Sequence, residues 1–243
     1  DLHSFPTRRS SDLHIGLSQT NDAEIRNLFA RLNTNNISLN DQELRNARFR
    51  GRFKQAAERF ADNPLFQTLG LFTPRDIRRM LDVEFASELL LLTIEGTTNK
   101  KDMLDDAYLE YEEDFPQEAQ FESDFNAAMA LVRSLLLEEA RIAFRTKSNF
   151  YSIYGACLRY FRQTGRTAFR HTDRVAAALT ALLMAVKTGR VEGKPPEYHA
   201  YFEAVTRAAS DKGRRQARED ILFDLLTKQD SPPEQHPLQL QQA

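Results

Sequence analysis

Apolar residues recur at helical spacing along almost the whole chain. Ile25, Leu28, Phe29 and Leu32 fall at i, i+3, i+4 and i+7 behind Asn21 and Asp22, which stand where an N-cap belongs, so a short amphipathic helix is expected to end near Leu32. A polar loop, Asn33 to Ser38, follows. Asn40 with Glu43 three residues on has the form of a capping box and starts a second helix, which Gly51 weakens without breaking. Its stripe runs Phe49, Phe53, Ala56, Ala57 and Phe60, and helical projection puts Gln42, Arg45 and Asn46 on the same stripe. Three polar side chains therefore point toward the core. Burying such groups unpaired costs about 1–3 kcal/mol each, so partners are required.

Further helices follow. Thr73-Pro74 with Asp76 is an N-cap and proline-N1 start, and Gly96 is a stop, for a helix of about six turns. Its stripe is Ile77, Leu81, Phe85 and Leu92, with Glu84 and Glu88 projecting into it. Two carboxylates at i, i+4 on an apolar face repel unless something basic or a proton intervenes. They read either as a metal or general acid/base pair or, the preferred reading, as a structural ion-pair network with arginines of the Arg45 helix. An acidic helix over Lys100–Phe115 precedes a long one from Glu118 to Phe144. Then come Asn149–Gln163, with Gly165 as C-cap, and Asp173–Lys187, apolar nearly all round and so expected to be the most enclosed. Pro196–Ser210 and Arg214–Lys228 are the last two, and the tail from Gln229, rich in proline and glutamine, is expected to be disordered. The pattern predicts an all-α, multi-helix, bundle-like domain over residues 14–228, essentially without sheet.

With 243 residues, 41% of them hydrophobic, the chain can bury a substantial core. It has no apolar run long enough to span a membrane and no signal-peptide pattern, so a soluble protein that makes no membrane contact is expected. Cys157 is the single cysteine, which fits a reducing cytoplasm, and its place beside Phe150, Tyr154 and Phe161 points to core packing. The net charge of −2 hides an uneven distribution: 11 basic against 5 acidic residues from Arg26 to Arg79, 2 against 14 from Asp82 to Asp124, and 17 against 9 from Arg133 to Asp220. Such blocks read as solvated helix faces or as basic surfaces turned toward nucleic acid. The same alternatives hold for the cluster Arg207, Lys212, Arg214, Arg215 and Arg218, the candidate nucleic-acid contact, for which Glu219 and Asp220 are the available internal partners. The sequence contains no glycine-rich phosphate loop, no nucleophile elbow and no Cys/His ligand set, so no catalytic or metal-binding residue is assigned. His171 reads as a hydrogen-bonding residue at a helix start.

The string Phe29-x-Arg31-Leu32-Asn33-Thr34, then Leu39-Asn40-x-Gln42-Glu43-Leu44-Arg45-Asn46-Ala47 and Gly51-x-Phe53, resembles the second half of the GmrSD restriction-endonuclease N-terminal domain. Asn35-Asn36 stands where that family has Gly-Gly. The resemblance spans about residues 15–228 and is motif-specific from 28 to 53. It implies a ParB-like first half with an Asp-Gly-Gln-Gln-Arg motif, NTP-dependent and modification-directed DNA restriction, and a nucleotide triphosphate with Mg as cofactors of the parent protein. Relatives in the family often add an HNH-type nuclease module, whereas His14, His171, His199 and His236 are scattered here.

Residues 1–13, Asp1-Leu2-His3-Ser4-Phe5-Pro6-Thr7-Arg8-Arg9-Ser10-Ser11-Asp12-Leu13, resemble a translated sequencing adapter and are set aside from fold reasoning as a tag would be. The natural segment is then expected to begin near His14, in mid-gene, with the ParB-like half upstream of it and no cofactor bound by this fragment. Arg31, Asn33, Thr34, Gln42, Arg45 and Asn46 are expected to brace the missing half, and with Glu43, Glu84 and Glu88 they make up the expected motif and structural polar network. The missing half of the same protein is the expected partner, with DNA as a further candidate, and the competing expectation is a non-catalytic helical interaction or regulatory module.

Overall fold

Every described element is a helix. The computed structural model describes residues 39–98, 103–206 and 211–232. The chain divides into two compact units, Asp1–Asn40 and Asp41–Ala243. All the described helices belong to the second, and the expectations placed on residues 1–38, including the helix ending near Leu32, lie outside the described residues.

In chain order the helices are α1 (Asp41–Arg48), α2 (Arg52–Ala61), α3 (Pro64–Leu69), α4 (Pro74–Arg78), α5 (Leu81–Glu95), α6 (Leu104–Glu110), α7 (Glu118–Ser134), a single 3-10 turn (Glu138–Ala140), α8 (Arg141–Phe144), α9 (Lys147–Thr164), α10 (Thr172–Thr188), α11 (Pro196–Thr206) and α12 (Lys212–Asp230). The protein is all-α, with no strand among the described residues.

The most enclosed helix is α9, not α10. It packs against α5, α7, α8 and α12, and Asn149 to Leu158 are buried without a break. The apolar run of α10 is diluted by alanines, and Ala177 and Ala181 face solvent. A small side chain can sit outside at little cost, whereas the rings of Phe150, Tyr151 and Tyr154 cannot.

Three helices expected to be continuous are broken, each for a visible reason. Between α1 and α2 the Glu112 carboxylate takes the N–H groups of Arg50 and Gly51 at 2.9 Å each, and Gly51 lies so close to the Glu112 main chain that a Cβ there would stand 2.0 Å from its carbonyl oxygen. Only glycine fits that corner. Between α4 and α5, Met80 turns left-handed at φ 56°, and the register of α4 is lost. Ile77, expected inside, is consequently 46% exposed. After α7 the chain turns at Leu135–Leu137, and Leu137 is extended at φ −88°, ψ 149°. Three consecutive leucines would splay around an uninterrupted helix; the turn lets all of them reach the core.

The chain also remains helical further than expected. Gln229 and Asp230 belong to α12, not to a tail. Asp230 is buried, accepting the Tyr160 hydroxyl at 2.5 Å and the His171 N–H at 2.9 Å, while the Arg174 guanidinium takes the Gln229 and Ser231 carbonyls. These bonds satisfy main-chain groups that a helix end leaves open.

Candidate functional site

The motif helix α1 turns two polar side chains inward. Gln42 is buried and its Nε2 donates to the Tyr108 hydroxyl at 2.8 Å; that hydroxyl lies 2.8 Å from Ser87 Oγ, which donates to the Val83 carbonyl. Burial pushes the Tyr108 phenol up, so the ring stays neutral. Arg45, also buried, donates from Nε to Asp105 at 2.6 Å and from Nη1 to Gln42 Oε1 at 3.4 Å. Asn46 is half-buried at the edge of the stripe, and Glu43 pairs with Arg79 at 2.9 Å. Phe49 and Phe53 close over the Tyr108 ring, at 5.4 and 4.9 Å between centroids.

Arg45 does not hold both glutamates of α5. Its Nη1 comes within 3.9 Å of Glu84, an ion-pair distance rather than a hydrogen bond, and its close carboxylate is Asp105. Glu88 lies one turn further along α5 and is taken by Arg215 at 2.8 Å. The ion-pair network was expected, but its cations come from opposite ends of the chain. Arg31, Asn33 and Thr34 lie outside the described residues.

Around Glu88 the facing sides of α5, α9 and α12 enclose a second network. The Arg215 guanidinium sits 4.2 Å over the Tyr151 ring, and burial pushes that phenol up while the cation pulls the other way. Arg218, fully buried, donates to Ser152 Oγ at 2.9 Å and to the Ala204 carbonyl of α11 at 2.8 Å. Burial draws its guanidinium down from the ordinary value. One turn along α9 from Tyr151, Gly155 leaves room for Glu219, whose Oε2 would stand 2.8 Å from an added Cβ and accepts the Thr97 hydroxyl at 2.5 Å. Burial pushes the Glu219 carboxyl above its ordinary range, with Thr97 opposing.

This placement corrects the nucleic-acid assignment. Arg215 and Arg218, three residues apart on α12, both point into the core, because that face of the helix is the one packed against α9 and α11. They cannot present charge to a phosphate backbone. Lys212 is exposed, Arg214 is half-buried with Nη1 3.4 Å from the Glu203 carbonyl, and Arg207 lies outside the described residues. Asp220 turns to Arg159 at 2.8 Å.

Sequence reasoning missed Tyr108, Asp105, Ser87, Thr97, Ser152 and Gly155. Leu104, Ala107 and Tyr108 do form an inward stripe on α6, a signal that could have pointed to Tyr108. Nothing comparable marks Asp105. Cys157 is fully buried and its thiol is pushed far up by that burial, which makes it a core side chain and a poor nucleophile. Of His171 it is the main-chain N–H that bonds, to Asp230. Among the described residues no three His, Cys, Asp or Glu side chains gather in a way that could hold a metal ion, and no helix is long and apolar enough to cross a membrane. Compared with known proteins, the chain matches no family model, no curated protein and no solved structure.

Proposed function

We propose that this chain is the helical part of a prokaryotic defence protein of the NTP-dependent, modification-directed DNA restriction type, and that its motif helix braces a ParB-like, nucleotide-hydrolysing part. The observation that carries the reading is the buried chain Gln42–Tyr108–Ser87 beside Arg45–Asp105. Of the motif's polar residues, Gln42 and Arg45 fix α1 to the scaffold, as a brace requires. A rigid base positions a neighbouring active part through entropy already lost on folding. Nucleotide and Mg would belong to the braced part.

A second reading, a non-catalytic helical interaction module, is favoured by one observation. Glu88, Arg45 and Glu219, the groups with the most chemical potential, are spent on internal partners.

The test is nucleotide hydrolysis and restriction of modified DNA by the protein read from the full gene, with and without Gln42→Leu and Arg45→Met together. Turnover lost in the variant while folding persists supports the brace. An upstream frame without an Asp-Gly-Gln-Gln-Arg stretch, in a protein that turns over no nucleotide, selects the interaction module.

A further inference from the structure

With Arg215 and Arg218 inside the core, the positive charge that remains available lies elsewhere. The loop and short helix over residues 68–78 run beside the α8–α9 junction. Arg141 donates to the Thr68 carbonyl, the Arg145 guanidinium lies 3.6 Å from where a Gly70 Cβ would be, and Lys147 Nζ sits 4.7 Å over the Phe72 ring. Three cations thus follow one another along a single stretch of chain. Arg75 and Arg78 stand three residues apart on α4, so their side chains share a face, with Cβ atoms about 5–6 Å apart.

Most of these charges have no internal duty. Among the described residues, the side chains of Arg75, Arg78 and Arg145 make no hydrogen bond or ion pair, and all three are exposed. Arg141 is partly used, by Thr68 and by Glu138 at 3.5 Å. Asp76 feels the positive charge of Lys147 and Arg75, and its carboxylate is engaged by the N–H and the hydroxyl of Thr73, each at 2.8 Å, in the capping box of α4. One capped carboxylate does not neutralise four cations. Three of the four are arginines, whose planar fork matches phosphate in two-point contact and sheds water more readily than an ammonium.

We propose that Arg75, Arg78, Arg145 and Lys147 form a phosphate-binding face for the backbone of a nucleic acid, held without regard to base sequence. Backbone contacts from arginine and lysine position a protein on a nucleic acid and carry no sequence information. The proposal goes beyond the restriction reading and does not depend on it, since it concerns binding by this chain alone, without nucleotide.

The experiment is fluorescence anisotropy of the intact chain with a labelled 20-bp duplex DNA, titrated over a range of salt, beside flotation with vesicles containing anionic lipid. The test variant is Arg75→Ala, Arg78→Ala and Arg145→Ala together. The control removes three exposed charges elsewhere, Lys187→Ala, Arg190→Ala and Lys194→Ala. Circular dichroism should find both variants folded, because none of the removed groups on the proposed face has a partner. Each neutralised phosphate contributes about 0.9 to the slope of log affinity on log salt, so the test variant should bind about tenfold or more weakly with a slope lower by about 2–3, the control staying within about twofold of the parent. Equal losses in the two variants, no binding of duplex by the parent, or binding to vesicles with none to DNA would each overturn the proposal.

Discussion

The two buried polar networks meet water on different terms. In the first, Arg45 runs from Gln42 inside the unit to Asp105, whose side chain is 60% exposed. In the second, Arg215 and Glu88 are 6% and 5% exposed. An ion pair with one partner in solvent is screened, and its loss leaves a carboxylate that water can take up. A sealed pair stabilises the fold little against an apolar replacement of the same shape, yet breaking it from one side strands a charge where no water reaches. The same chemistry is therefore a tether in one place and a lock in the other.

Removing one guanidinium from each network separates the tether from the lock most clearly. Arg215→Met takes the Arg215 guanidinium from Glu88 in the sealed seam and should cost about 3–5 kcal/mol in urea unfolding, with much of it recovered in the double variant Arg215→Met, Glu88→Leu. If the single change costs under about 1 kcal/mol, the seam is wetter than its geometry implies. The glycines come next. Gly51→Ala drives a methyl into the Glu112 main chain and should cost about 2–3 kcal/mol, more than Gly155→Ala, whose methyl meets the far end of the Glu219 side chain. Equal losses would mean that the α1–α2 corner gives way as easily as a carboxylate. Arg45→Met should be milder than Arg215→Met, about 1–2 kcal/mol, because Asp105 is released to solvent. Loss of cooperativity in the melt, without loss of stability, would instead mark α1 as a separately folding element.

The smallest effect is a pH dependence. Because burial raises the Glu219 carboxyl in the folded state, the native protein binds more protons than the unfolded chain above the ordinary value of 4.5. The Glu219 contribution is therefore fully present below that value and fades as pH rises through the raised one. Glu219→Gln should flatten that part of the stability profile above about pH 4.5, and an unchanged slope would place the titration on another group.

The class of the fold was legible because helical periodicity is a local property, and the stop at Gly165 was legible because a left-handed C-cap has a residue signature. Inward-facing Gln42, Arg45 and Glu88 could also be read from their positions on apolar stripes. Their partners could not. Arg45 takes Asp105 and Glu88 takes Arg215 because of how helices cross, and no spacing along one helix encodes that. The break at Met80 was illegible for a related reason: a left-handed methionine has no motive in the local sequence. The basic run at the start of α12 misled because counting charge ignores which side of a helix carries it.

The Glu88–Arg215 contact joins residues 127 positions apart. On a ribosome moving at roughly 5–20 residues per second, α5 leaves the tunnel on the order of ten seconds before α12 can follow. During that interval Glu88 lies on an apolar helix face before Arg215 has been made, and α9 lacks one of the walls of its groove. The amino-terminal helices must therefore wait as a loosely closed, wet assembly, and the last helix to be synthesised is the one that lets the seam dry. A nascent chain stalled before Arg215 is the species in which chaperone binding should be strongest.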